Sequence, residues 1–359
     1  MTDCLIIGGG IIGMLTAREL RRAGAEVVLL ERGETGREAS WAGGGILSPL
    51  HPWRAPEAVT SLAAWSQQHY AALVDDLREE TGVDAEWTPS GLLILEDAEK
   101  SAVLAWAVDR KLDMQWLNAE EMRQCEPALT QSAGAALWMP GIAQVRNPRL
   151  LQALKQSLVG QGVKLEEHTE VHGLLVELGK VVGVQTSRGA YVANQVVVAG
   201  GAWSGKLLES LGWNPQVTPV RGQMLLYRAP PGLLSRILVQ GELYIIPRRD
   251  GRVLVGSTVE HVGFDKSTTL AAKEKLHELA CRLIPALAEC EIEQQWSGLR
   301  PGSAHAAPLI GAHPHVKNLY INTGHFRNGI ALAPASARLL ADSVLGKPPI
   351  LDPKPYLPV

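Results

Sequence analysis

The sequence predicts an α/β fold in which a parallel sheet of strand–helix–strand units is interleaved with an antiparallel one. Three observations carry that expectation. The chain opens on a short apolar strand followed by glycines at 8, 10 and 13. Segments with the same strand, turn and helix order return in its middle and at its C-terminal end. Between them lie runs with β-type alternation, two of them joined by Asp250-Gly251, a strong hairpin signal.

The N-terminal unit is the most specific. Leu5 to Ile7 read as a buried strand, and Gly8, Gly10 and Gly13 have the G-x-G-x-x-G spacing. That spacing gives a tight turn, lets backbone approach a pyrophosphate, and packs the next helix closely on the sheet. The helix is expected over 11–23, with Gly24 as its stop and its positive end toward the anion. A second strand, Val27 to Leu30, leads into Glu31, about 20 residues past the glycines, where a carboxylate can accept both hydroxyls of a ribose. Together these features predict a dinucleotide site.

A second glycine-rich stretch, Gly43-Gly44-Gly45, follows, and then an amphipathic helix over 61–81 stopped by Gly82. Strands are expected over 86–95, 223–228, 243–247 and 252–257. Asn147-Pro148 reads as an N-cap with Pro at the first helical position, opening a helix to about Gly160. Val196 to Gly201 is a buried strand entering a turn, with Ser204 starting a helix. Residues 319–322 form a strand, 323–329 a turn, and 330–345 a helix bent near Pro334. The expected division is 1–82, 146–215 and 310–359 in one domain, and 83–145 and 216–309 in the other.

Composition narrows the function. The chain has 359 residues, room for two domains, and its 34 basic and 37 acidic residues nearly cancel, leaving a net charge of −3. No basic stripe for nucleic acid is expected, and Arg21-Arg22 and Arg248-Arg249 read as solvated helix or turn positions. Cys4, Cys125, Cys281 and Cys290 lack metal-binding spacing, so neither a metal site nor a disulfide framework is expected, and a reducing cytoplasm fits. The apolar run 4–17 is too short to span a bilayer and is broken by glycines, so no membrane or targeting segment is expected.

The glycine motif with Glu31, the loop from Ala42 to Ile46, Tyr244-Ile245-Ile246-Pro247-Arg248 before the hairpin, Gly298-Leu299-Arg300-Pro301-Gly302, and Gly324-His325-Phe326-Arg327-Asn328-Gly329-Ile330 extend the argument across the whole chain. With these motifs the sequence resembles the D-amino-acid oxidase family of FAD-dependent amine oxidoreductases, and within it the glycine-oxidising branch of bacterial thiamine biosynthesis. The resemblance implies a Rossmann-like FAD-binding domain interleaved with an antiparallel-sheet substrate domain, as in the D-amino-acid oxidase and glutathione-reductase folds. It implies that Ile11, Ile12, Glu31, Arg32, Ala39, Ser40, Gly44, Gly45, Ile46 and Val171 line the FAD, with His325, Phe326, Arg327, Asn328, Gly329, Ile330 and Ala331. It further implies that Arg300 binds the substrate carboxylate with Tyr244 and Arg327 beside it.

Physical counterparts exist for these roles. An arginine fork matches a planar carboxylate bidentately, as lysine does not, and Arg300 is expected inside a Gly/Pro turn over 298–302, after the apolar Trp296. By period-2 alternation Tyr244 and Ile246 share a strand face, so the phenol can enter a cavity while Ile245 points away. The implied activity is oxidative deamination of glycine, sarcosine or D-alanine, with hydride passing to flavin N5 and O2 reduced to H2O2. No side-chain acid or base is expected, and His325 is expected as a cofactor contact. A homotetramer, or a dimer, is the implied assembly. Two alternatives stay open: a dehydrogenase passing electrons to a quinone, and a non-catalytic FAD binder. Sarcosine oxidases of the superfamily link FAD through a C-terminal cysteine and set a lysine over it. Here no cysteine follows Arg300 and 252–257 holds no lysine, so non-covalent FAD is expected.

Overall fold

The computed structural model describes residues 2–95, 99–130, 134–305 and 307–359. Thr2–Ile7 lies at the centre of the first sheet, parallel to Val27–Leu30 on one side and Gly189–Val198 on the other. Lys164–Glu166 extends it beyond Val27–Leu30, and Leu319–Thr323 then Leu309–Ala312 extend it beyond Gly189–Val198, so all three expected strand–turn–helix segments share one sheet. A hairpin, Val171–Glu177 and Lys180–Thr186, continues antiparallel onto Gly189–Val198. The central strands are buried on both faces, which is why they read as unbroken apolar runs.

One face of this sheet is covered by helices Ile11–Arg22, Glu57–Thr81 and Gly329–Leu345, which share a core with Met14, Leu20, Leu62 and Leu340 inside it. Pro334 stands inside the last helix, where it cannot donate to the Ile330 carbonyl. That carbonyl instead accepts the Tyr70 hydroxyl at 2.5 Å, and the Ala335 N–H turns to Ser66 Oγ at 3.1 Å. Leaving either group bare in the core would cost about 1–3 kcal/mol, so the middle helix completes the proline site.

The second sheet runs Glu291–Ser303, Val217–Arg228, Arg252–Gly256, Leu243–Pro247, Ile237–Gln240, Leu92–Ile94, Ala136–Met139, Gln115–Leu117. Its pairs are antiparallel except Ile237–Gln240 with Leu92–Ile94. Helix Leu270–Leu283 covers one face, toward which Ile245 points, while Tyr244 and Ile246 join the opposite cluster as alternation predicts.

Four local expectations need correction. The strand expected over 86–95 is only Leu92–Ile94, because Pro89 lacks a ladder donor and Glu86 and Gly91 take positive φ of 54° and 65°. Asn147 is not the cap of its helix but the first residue inside it, capped by Arg146, and its side chain turns inward to the glycine loop. Residues 298–302, expected as a turn, continue the strand Glu291–Ser303 against Val217–Arg228. Arg248 is not solvated: its guanidinium donates to Gly44 O at 2.7 Å, Gln144 Oε1 at 2.8 Å and Val145 O at 3.0 Å. Among the described residues no helix is long and apolar enough to cross a membrane.

Candidate active site

A cavity of about 820 Å³ opens between the carboxyl ends of the parallel strands and one face of the antiparallel sheet. Ligands in open α/β sheets bind at that end of the strands. One wall is made by Gly8, Glu31, Gly200 and Gly324, which follow four parallel strands; the other by Gly222, Tyr244 and Arg300 on the antiparallel sheet.

The glycine turn is built for a large anionic ligand. Gly8 has φ of 110°, and a Cβ there would lie 2.4 Å from the Ala199 carbonyl oxygen, so only glycine lets the two strand ends close up. Gly10 caps the helix Ile11–Arg22, and Ser40 Oγ accepts the Ile11 N–H at 3.0 Å. Helix geometry leaves the Ile12 N–H without an intrahelical acceptor, at the positive end of the helix. Glu31, buried, is held rigidly: one carboxylate oxygen accepts the Gly9 N–H at 2.8 Å and the other the Gly33 N–H at 2.9 Å. Each oxygen keeps a further lone pair for a ribose hydroxyl. Arg32 lies flat on Trp203, its guanidinium carbon 3.5 Å from the ring centroid, and is held there by Glu38 at 2.8 Å.

The loop between the sheets is pinned from below. Asn147 Nδ2 donates to the carbonyls of Ser40 at 2.8 Å and Gly43 at 3.0 Å, while Arg248 takes Gly44. Burial, and then the neighbouring Arg146 charge, push the Arg248 pKa down to about 10, leaving it protonated at neutral pH.

On the antiparallel wall, Arg300 Nη1 donates to Thr258 O at 3.0 Å and Nη2 to Ser257 Oγ at 2.5 Å. Its partners are neutral, and among the described residues it forms no ion pair. The guanidinium lies across Gly222, where a Cβ would sit 2.1 Å from Nη2, so the glycine makes its seat. Tyr244, buried, donates to Met224 Sδ at 3.2 Å, a weak acceptor that leaves the phenol available to a better one. Arg327 differs from Arg300: Nη1 pairs with Glu242, whose side chain is 67% exposed against 20% for the arginine, and Nη2 is buried without a partner among the described residues. Burial lowers the Arg327 pKa. The pKa of His325, a buried residue, is pushed down to about 3 by burial alone, and its Nε2 has no hydrogen-bond partner among the described residues.

All the expected contacts from Ile11 to Ile46, with Val171 and the turn from His325 to Ile330, border this cavity. Ala331 does not; it is buried behind the turn. Gly13 also stands back, its missing side chain admitting the Gly8 carbonyl. Trp203, Gly222, Met224, Glu242 and Ser257 border the cavity as well, and none of them is among the residues expected there. For Trp203 a signal exists in its place just after the strand turn Gly200-Gly201. For the others the sequence carries none, since strand pairing alone sets them beside Arg300 and Tyr244.

The family described as FAD dependent oxidoreductase matches residues 3–343. The chain belongs to that family. The glycine cradle, the fixed Glu31 carboxylate, and His325 Nε2 and Arg327 Nη2, which have no partner among the described residues, border one cavity and fit FAD, its cofactor. Over 99% of its length the chain is 49% identical to the glycine oxidase of Pseudomonas aeruginosa, covering 98% of that protein. It is 37% identical over 96% of its length to the bifunctional protein ThiO/ThiG of a Nostoc species, covering 52% of that longer chain. The crystal structure of glycine oxidase from Geobacillus kaustophilus superposes with a TM-score of 0.95 at 32% identity, over 99% of this chain and 97% of that one.

Proposed function

We propose that this chain oxidises glycine and other small amines, sarcosine and D-alanine among them, to the imine, which water hydrolyses to the oxo acid while O2 is reduced to H2O2. Arg300 carries the reading. A cationic fork seated on a glycine, held by neutral oxygens and bordering a cofactor-sized cavity, suits the carboxylate of a small amino acid. The likeness to glycine oxidases along almost the whole chain supports the same substrate.

Arg300 binds the carboxylate in two parallel hydrogen bonds and so fixes the direction of the Cα–H bond. Tyr244 swings its hydroxyl from the Met224 sulfur to a carboxylate oxygen. The amine must be neutral for its lone pair to assist departure of the hydride. When bound, FAD supplies the two-electron acceptor and the route to O2. The Ile12 N–H and Glu31 are the groups that would hold its pyrophosphate and ribose. The helix Gly329–Leu345 starts at the cavity, which Gly329 and Ile330 border, so its positive end favours negative charge there.

His325 is neutral at working pH and moves no proton in this scheme. The FAD is held without a covalent bond, so acid denaturation should release all of it into the supernatant. Segments 1–82, 146–215 and 310–359 form the cofactor half, and 83–145 and 216–309 the substrate half, a division supported by the grouping of strands into two sheets. The likeness to a ThiO/ThiG protein supports a role for the imine in making the thiazole of thiamine. A cytoplasmic homotetramer is the assembly that goes with this reading, which light scattering and cell fractionation test.

The deciding experiment mixes the yellow protein anaerobically with glycine, sarcosine and D- and L-amino acids and follows flavin bleaching. Bleaching by glycine, with H2O2 formed in air, is expected. Bleaching without H2O2 would point to a dehydrogenase, and no bleaching by any amine would overturn the reading.

A further inference from the structure

Residues 257–269 connect the strand Arg252–Gly256 to the helix Leu270–Leu283 with no helix or strand of their own beyond a single bridge at Glu260. Loops of this length in a packed domain commonly carry function. Two residues of this one, Ser257 and Thr258, hold the Arg300 guanidinium. What fixes the loop therefore fixes Arg300.

The anchor is an ion pair whose arginine is buried and whose carboxylates reach the surface. Arg221, with a side chain 5% exposed, donates from Nε to Glu260 Oε2 at 3.0 Å and from Nη1 to Asp265 Oδ2 at 2.5 Å. The backbones of Arg221 and Glu260 also exchange hydrogen bonds at 2.9 and 3.0 Å. The other Glu260 oxygen accepts from Gln223 Nε2 at 2.9 Å and from the Thr258 hydroxyl. Thr258 is thus held by Glu260 through its side chain and holds Arg300 through its carbonyl. A pair with one buried member fixes geometry more than it adds net stability.

We propose that Glu260, clamped by Arg221, is a positioning residue for Arg300, setting the guanidinium so that its remaining N–H groups meet the substrate carboxylate. The proposal rests on Arg300 as the carboxylate site. It makes a prediction opposite in sign to simple electrostatics. Removing a negative charge near an anion site tightens anion binding by Coulomb's law, whereas losing the positioning device weakens it.

The test uses the holoenzyme and acetate, whose binding is read from the flavin spectrum, in the parent, Glu260→Gln, Arg300→Lys and the double variant. In Glu260→Gln the acetate Kd and the glycine KM should rise about five- to tenfold, with the saturated reduction rate within about threefold. In the Arg300→Lys background the same change should add less than about twofold, because the device acts through Arg300. Unchanged or tighter acetate binding in Glu260→Gln, with binding lost in Arg300→Lys, overturns the positioning role and leaves the carboxylate site standing. Unchanged binding in Arg300→Lys overturns both. If Glu260→Gln does not retain FAD, Arg221→Lys replaces it, with a rise of about two- to fivefold expected and no rise overturning the proposal.

Discussion

Arg300 and Arg327 border the same cavity in opposite electrostatic states. Arg300 is held by a carbonyl and a hydroxyl, which orient it and leave its charge uncompensated. Arg327 is paired with Glu242 on the solvent side, so its charge is answered before a ligand arrives. Two arginines thus divide one cavity between them. One charge is left open toward the cavity, and the other is answered by a carboxylate of the protein itself.

The largest effect should come from Arg300→Lys. Ammonium keeps the charge but loses the two parallel hydrogen bonds, so kcat/KM for glycine should fall by about 10²–10³-fold, with the loss visible in flavin reduction at saturating glycine. A variant reduced as fast as the parent would make the two arginines equivalent. Gly222→Ala tests the seat without touching the charge: its Cβ displaces the guanidinium, and the glycine KM should rise by roughly tenfold, measured by steady-state oxygen uptake.

Glu242→Gln acts on the other arginine. Freed of its partner, Arg327 should improve turnover of an amine bearing a second carboxylate, such as iminodiacetate, by about fivefold relative to glycine. An unchanged ratio of the two kcat/KM values would show that Glu242 does not set the charge at that end. The smallest effect is expected at His325. Its imidazole, with a pKa pushed down to about 3, stays neutral as pH rises from about 5 upward, so it contributes no inflection there. In His325→Ala the pH dependence of flavin reduction should keep its shape, set by the substrate amine, with rates within roughly tenfold, since an essential base contributes about 10²–10⁴-fold. Loss of a limb near about pH 6–7 in the variant would sink this assignment.

Much of the cofactor wall is legible in the sequence because it is written in local terms. Glycines at 8, 10 and 13, the helix stop and Glu31 act through backbone within one strand–helix–strand unit, and spacing alone expresses that. Asn147 and Arg248 mislead for the reverse reason. Each has a sequence neighbourhood typical of a cap or a solvated turn, yet Asn147 reaches a loop 104 residues away in the chain and Arg248 the same loop at 204.

The α/β class, the alternation that turns Tyr244 and Ile246 away from Ile245, and the residue types able to bind a carboxylate are all readable from residue order alone. Which arginine's charge is left uncompensated follows from the fold alone. Arg300 and Arg327 are both arginines among glycines in the sequence, and neither has an acidic or basic residue, Asp, Glu, Lys or Arg, within four positions. Their states come from Thr258 and Glu242, brought beside them by strand pairing and the return of the last helix. A charge is answered by whatever lies within a few ångströms in space, and that distance is not a property of the local sequence.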